Sequence, residues 1–438
     1  MESILVSAPG KVIVYGEHAV VHGKAAMAAA ISLRSYLLVT FPSEDKRTVT
    51  LSFPDIALHH AWEIDSLPWD IFTETANAHE FSDRVTSLDP KLVDALEPHL
   101  AKVSPGLAEN ARKVHQSAAF TFLYLYLSLG KQTWPASLYT MRSSLPTGAG
   151  LGSSASISVC ISTALLLQLQ VLALPHSGQS AKEAQAQIDV VNNWAFVGEM
   201  CLHGNPSGVD NTVSSGGKAV IFKRNPPGPP IVTPLRNFPE LPLLLVNTRQ
   251  PRSTAMEVAK VGTLKQDHPA VTDLILDAID QVTESAHRLI SSSSFNKDDL
   301  TSLRHLGELN RVNHGLLVSL GVSHPKLERI RELVDHAGIG WTKLTGAGGG
   351  GCSITILNPN AETTALKKLE ADLEKEGFEK YEATLGGEGV GLFDFSAGAK
   401  RTDITSENLV SAQGQEELEA LVEGQTEQEK AGWTFWKP

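Results

Sequence analysis

A chain of 438 residues, 42% hydrophobic and 20% charged, is too long for one ordinary core and too apolar for disorder, so about two folded domains are expected. Its 49 acidic and 37 basic side chains leave a formal charge of −12, which argues against a general nucleic-acid or anionic-membrane surface and, taken alone, disfavours anionic ligands. Cys160, Cys201 and Cys352 lie far apart without metal-ligand spacing and read as reduced thiols of an intracellular protein.

The opening Met1-Glu2-Ser3 lacks the basic region and apolar stretch of a secretory signal. Residues 4 to 40 alternate β-branched runs with glycine turns, including Val12-Ile13-Val14-Tyr15, and read as strands. From Phe53 to about Val103 the pattern is weak, and irregular structure with short helices is expected. Ala136 to Leu145 alternates as a strand, followed by a glycine loop and an apolar helix, Ile157 to Leu174. Its glutamines and serines fit a buried core helix better than a membrane span. Ala181 to His203 reads as a long helix. Asn225 to Pro230, rich in proline, cannot continue a helix or central strand and marks the expected domain boundary.

Beyond it, Pro242 to Asn247 reads as a buried strand. Pro325 opens and Gly338 closes one helix, and another runs from about Thr364 to Gly377. From Arg401 on, eight acids, three bases and many Gln, Ser and Gly predict a flexible or loosely helical tail. Its end, Trp433-Thr434-Phe435-Trp436, offers a patch for docking on the body or on a partner.

Three glycine-rich segments carry the chemistry. Leu145 to Ala155 lies between a strand and a helix, so backbone N–H groups and a helix N-terminus suit a phosphate, with a tight turn capped by Ser153 or Ser154 as the plainer alternative. It is not a Walker loop, because no Gly-Lys-Ser/Thr follows. A nicotinamide-dependent oxidoreductase is disfavoured, since no acid occurs from Gly148 through Lys182 to bind a ribose. The hydroxyl of Ser154 suits a magnesium ion, which also needs a carboxylate. Glu199 is the candidate: eleven residues turn a helix by about 1,100°, within about 20° of three full turns, so it shares a face with the apolar Ile188. Asp210 ends the turn cluster His203 to Asn211, where an Asp presents either a catalytic group or a backbone cap. Lys11 follows the turn Ala8-Pro9-Gly10 and, alone, reads as a surface lysine. The third segment, Lys343 to Ser353, is glycine-rich enough to demand close backbone approach to something.

Together, Ala8 to Lys24, Leu145 to Ser156 and Lys343 to Ser353 resemble the three ordered motifs of the GHMP small-molecule kinases, over most of residues 4 to 395. The resemblance implies an α+β fold of two domains, 1–225 and 226–400, with the active site in the cleft between them and a tail at 401–438. Gly16 to Lys24 and His203 to Asn211 are most similar to the branch that acts on mevalonate. That implies phosphorylation of the mevalonate C5 hydroxyl by ATP with Mg2+, in the isoprenoid and sterol pathway. By motif position, Ser143, Gly148, Ala149, Gly150, Leu151, Gly152, Ser153 and Ser154 would face ATP, together with Lys11. Ser154 and Glu199 would ligate magnesium, Asp210 would be the base, with Lys11 beside it, and Glu17, His18 and Thr254 would bind mevalonate, with Arg252 as a neighbour. A sister kinase acting on phosphomevalonate, homoserine or a sugar is the nearest rival, and an inactive ATP-binding relative is a further one. The resemblance also implies a cytoplasmic homodimer, with the peroxisome left open, and no nucleic-acid or membrane partner.

Two departures stand out. Asp55 occupies a position where the family carries an asparagine near adenine, and a carboxylate cannot copy an amide's donors. The extension from about Arg401 is foreign to the family's core. It holds −5 of the net charge and leaves −7 on the body. The global charge therefore bounds nucleic-acid and membrane binding rather than a local anion site.

Overall fold

The computed structural model describes residues 3–43, 46–72, 81, 84–146, 148–226, 228, 230–396, 401–424 and 432–438. The chain first forms β1 (Ser3–Tyr15), β2 (Ala25–Thr40), β3 (Thr48–Phe53), β4 (Leu58–Glu63), α1 (Pro90–Leu100), α2 (Glu109–Leu129), β5 (Ser137–Ser143), α3 (Ser153–Gln168), α4 (Ala181–His203), α5 (Val209–Gly216), β6 (Ala219–Lys223) and β7 (Ile231–Leu235). It continues with β8 (Leu241–Asn247), α6 (Thr254–Asp267), α7 (Pro269–Ile290), α8 (Leu300–Ser319), α9 (Pro325–Ala337), β9 (Gly340–Leu344), β10 (Cys352–Leu357), α10 (Thr363–Lys375), β11 (Glu379–Leu385), β12 (Gly391–Phe393), α11 (Ser406–Ser411), α12 (Gly414–Glu423) and β13 (Trp433–Phe435). This is the expected α+β class. Among the described residues no helix is long and apolar enough to cross a membrane.

The described strands join one branched 13-stranded sheet along the path β13-β12-β1-β2-β11-β8-β10-β9, antiparallel except where β3 runs beside β5. The proline-rich stretch at 225–230, of which 227 and 229 lie outside the described residues, falls between the paired strands β6 and β7. Late strands also return to early ones: β12 pairs with β1, and β11 meets β2 at Leu385 and Ile31. Segments from both ends of the chain therefore build the amino-terminal half of the sheet.

Sequence chemistry accounts for the helices that matter. Ser180 and Glu183 form a reciprocal capping box that starts α4 where the sequence places it. Pro325 opens α9, and Gly338 at φ 64 closes it in the left-handed conformation. The weak stretch after Phe53 holds one more strand than expected, β4, paired along β3.

The described part of the tail is helical over α11 and α12 and packs on the body. Ile4, Val6 and Ala8 of β1 and Leu37 and Val39 of β2 face a core shared with α2, α3 and α4. The alternate residues Leu5, Tyr36 and Leu38 point to the other face, where Ile404, Leu409, Leu418 and Val422 cover them. Period-2 alternation gives each strand two faces, and β1 and β2 are apolar on both. Leaving the second face in water would forgo about 1.5–3 kcal/mol per large side chain. The tail's polar composition hides four well-spaced apolar anchors, which seat α11 and α12. Trp433 to Phe435 then adds a strand to β12.

Candidate active site

β1 carries an irregularity between Pro9 and Lys11. A side chain on Gly10 would meet Leu145 Cδ2 at 2.4 Å and the Leu151 carbonyl at 2.7 Å, so only glycine lets the first glycine loop lie against the strand. The Lys11 N–H then donates to Leu151 O at 2.8 Å, and Lys11 Nζ donates to Gly150 O at 3.3 Å. The loop ends at Gly152, whose φ of 73 precedes the first turn of α3.

α5 is fastened on two sides. Ser214 Oγ donates to Pro9 O at 2.7 Å, and Asn211 Nδ2 donates to Asn192 Oδ1 on α4 at 2.6 Å. These bonds hold Asp210 within 3.3 Å of Lys11 Nζ, as an ion pair that is only partly exposed. Behind the pair, Glu199 is 3% exposed and its Oε1 has no hydrogen-bond partner. Burial and the Asp210 charge push its carboxyl up to about 7, against opposing pulls from Ser154 and Lys11. Ser154 Oγ lies 3.3 Å from His203 Nε2.

These groups meet a cavity of about 800 Å3. Of the residues predicted from sequence, Lys11, Gly148, Gly150, Leu151, Gly152, Ser153, Ser154, Asp210 and Thr254 line it. Thr147, within the first glycine segment, lies outside the described residues. Ser143, Ala149 and Glu199 stand behind the wall. A side chain on Gly150 would overlap Arg252 Nη2, and Arg252 joins the two glycine loops by donating to Ala149 O at 3.2 Å and Thr345 O at 3.3 Å. The rest of the wall is largely apolar, including Leu51, Phe53, Ile157 and Ile161.

Two residues expected at the substrate, Glu17 and His18, are not among those that line this cavity. Glu17 does not reach the cavity. Its side chain is wholly buried, pairs with the equally buried Lys343, and accepts from Asn313 Nδ2 at 2.8 Å. Burial raises the Glu17 carboxyl and lowers the Lys343 ammonium. His18 is also absent from the wall: at φ 60, its Nε2 donates to Ala347 O at 2.9 Å and so fastens the third glycine loop. The expectation for Glu17 rests on family resemblance, whereas its partners Lys343 and Asn313 are about three hundred residues away and give no local signal.

The arrangement can cradle phosphates on backbone N–H groups and align an alcohol beside Asp210 and Lys11. Ser154, Glu199 and Asp210 supply only oxygen donors, the set a hard cation prefers, and the partnerless Glu199 Oε1 fits that use. Among the described residues no group of three or more His, Cys, Asp or Glu converges to hold a metal, so a cation here would draw its remaining ligands from phosphates and water.

Comparison with known proteins places this geometry. The family model for the GHMP kinases N terminal domain matches residues 119–217, and that for GHMP kinases C terminal matches 294–375. A mevalonate kinase of Aspergillus fumigatus is 59% identical, over 99% of this chain and 82% of its own. The human mevalonate kinase is 36% identical, over 96% of this chain and 99% of its own. The crystal structure of the Methanococcus jannaschii mevalonate kinase superposes with a TM-score of 0.60 at 23% identity, covering 87% of this chain and 98% of that one. That of the L. major mevalonate kinase in complex with R-mevalonate gives 0.59 at 24% identity, covering 87% and 96%.

Proposed function

Because the chain belongs to the mevalonate kinases of the GHMP kinase family, and so phosphorylates mevalonate from ATP, we propose that Asp210 and Lys11 carry the transfer to the C5 hydroxyl, giving 5-phosphomevalonate. The observation that carries this reading is the Lys11–Asp210 pair on the cavity wall directly against the glycine loop. Phosphoryl transfer needs mainly alignment and charge neutralisation. Backbone N–H groups of Gly148 to Ser154 hold the ATP phosphates, and Asp210 takes the hydroxyl proton at a carboxylate oxygen. Lys11 Nζ, paired with that carboxylate, orients the alcohol and offsets the charge that develops on its oxygen. Thr254 and Arg252 serve the mevalonate end of the cavity.

Ser154 and Glu199, with Asp210 near them, would hold Mg2+, which when bound neutralises charge on the transferring phosphates. Support comes from the buried, unpartnered Glu199 oxygen and from the oxygen-only donor set. The reading also takes the chain as a cytoplasmic homodimer, supported by family resemblance and, for the dimer, by the exposed apolar side chains Met256, Val271 and Leu274 on α6 and α7. Sedimentation of the purified chain reads the dimer. A coupled ADP-release assay with mevalonate, phosphomevalonate, homoserine and galactose tests the substrate: turnover with mevalonate alone is expected, and preference for any other acceptor overturns it.

A further inference from the structure

Arg142, near the end of β5, is a buried cation that the phosphoryl-transfer chemistry does not use. Its guanidinium is held from two directions. Nε donates to Asp55 Oδ1 at 2.8 Å, while Nη1 donates to the carbonyls of Leu409 and, at 2.9 Å, Ala412, where α11 ends. A planar fork satisfies a carboxylate and helix-end carbonyls together, which a lysine cannot do.

From this fork hydrogen bonds run to both ends of the first glycine loop. The second oxygen of Asp55 accepts from Ser143 N at 2.8 Å, and Ser143 Oγ accepts from Leu145 N at 3.2 Å, where the loop leaves β5. Ser143 Oγ also lies 3.0 Å from Ser35 Oγ, which is 2.6 Å from Ser156 Oγ. Ser156 donates to Ser153 O at 3.0 Å in the first turn of α3, where the loop ends. The tail is anchored independently. Tyr36 Oη donates to Glu423 at 2.8 Å, Trp433 Nε1 donates to Val422 O at 3.0 Å, and Leu409 sits in the apolar layer over β1 and β2.

We propose that Arg142 is a positioning residue for the ATP-binding loop, and that the segment 401–424 acts on ATP binding by holding Arg142 in place. The inference rests on the assignment of Gly148 to Ser154 to the ATP phosphates. A glycine loop has little stiffness of its own, so its phosphate-binding geometry depends on how its ends are fixed. Asp55 serves that fixing. Both its oxygens are engaged, one by Arg142 and one by the Ser143 amide, so it does the work of a clamp rather than that of an amide reading a base.

The test is a steady-state titration on the full-length enzyme, varying ATP at saturating mevalonate and then the reverse. Arg142→Met raises KM for ATP roughly five- to tenfold and leaves KM for mevalonate unchanged. Arg142→Lys, which keeps the charge but not the fork, falls between it and the wild type. Leu409→Ala loosens α11 while leaving the Arg142 side chain and its backbone carbonyl acceptors chemically intact, changes ATP KM in the same direction, and serves as the test if Arg142→Met does not fold. The Leu409→Ala/Arg142→Lys pair shows less than additive effects, because both act on one coupling. Gly148→Ala is the control on the loop itself, since φ there is 71 and no neighbour lies within 4 Å. An unchanged ATP KM in Arg142→Met and Leu409→Ala, with a raised one in Gly148→Ala, overturns the positioning role. An unchanged value in Gly148→Ala overturns the loop assignment beneath it.

Discussion

Glu17→Gln separates a structural role in the buried pair with Lys343 from the substrate role that family resemblance implies. Neither Glu17 nor Lys343 has exposed side-chain area. The glutamine keeps an acceptor for Asn313, but it leaves the Lys343 ammonium without an opposite charge. Removing one partner of a buried ion pair costs about 3–5 kcal/mol, because the remaining charge must stay uncompensated or give up its proton. At about 2.1 cal/mol/K per residue, 438 residues give an unfolding entropy near 0.9 kcal/mol/K, so the melting midpoint falls by roughly 3–5 °C. Scanning calorimetry reads that fall, and initial rates at varied mevalonate read its KM. The expected result is lower stability with KM for mevalonate close to wild type. The double variant Glu17→Gln/Lys343→Met, which removes both charges, recovers most of the loss. An unchanged midpoint with a raised mevalonate KM would return Glu17 to the substrate and refute the buried-pair argument.

Asp210→Ala removes the carboxylate paired with Lys11; turnover should fall about 10²- to 10⁴-fold while ATP affinity, read by equilibrium binding, stays nearly constant. Ser154→Ala deletes one of the proposed magnesium donors, and a rate titration with MgCl2 should shift to higher concentration; an unchanged titration counts against that role. His314 carries the pH prediction. Its Nδ1 accepts from the Leu344 N–H at 3.2 Å and its Nε2 donates to Glu328 at 3.0 Å, so the neutral ring satisfies both contacts. Burial lowers its pKa from 6.5, so below that value the unfolded chain binds a proton the folded one resists. That stability is fully present above pH 6.5 and is lost as the pH falls from there through the lower folded-state pKa. The difference in urea midpoint between wild type and His314→Gln should therefore narrow on acidification from pH 7.5 to 5.5, and a difference that stays constant would count against the neutral-ring account.

What the sequence made legible was what short-range chemistry determines. The capping box at Ser180 and Glu183 fixes where α4 begins, and the rotation from Ile188 to Glu199 correctly implies a carboxylate turned inward. The glycine segments mark where backbone must approach closely. What stayed hidden were pairings across long separations: Glu17 with Lys343, Arg142 with Leu409, and Arg252 with Ala149 and Thr345. The tail's packing is hard to read because flexibility is inferred from average polarity. Burial there depends on a few spaced residues, and on a second apolar face of β1 and β2 that only the assembled sheet reveals.

An acidic chain with two anionic substrates is consistent once charge is counted where it acts. In the proposed site the favourable terms would be backbone N–H groups at the start of α3, the Lys11 ammonium, and Arg252, whose guanidinium spans both glycine loops. Arg252 is half-buried, and desolvation there lowers its pKa. Two carbonyls replace only part of that solvation, and the guanidinium has further N–H donors to offer an anion. A cation held short of full solvation between two loops attracts a carboxylate or phosphate more strongly than the same group on the surface, because less water must be displaced. The −12 of the whole chain acts through screened solvent and scarcely weakens that attraction.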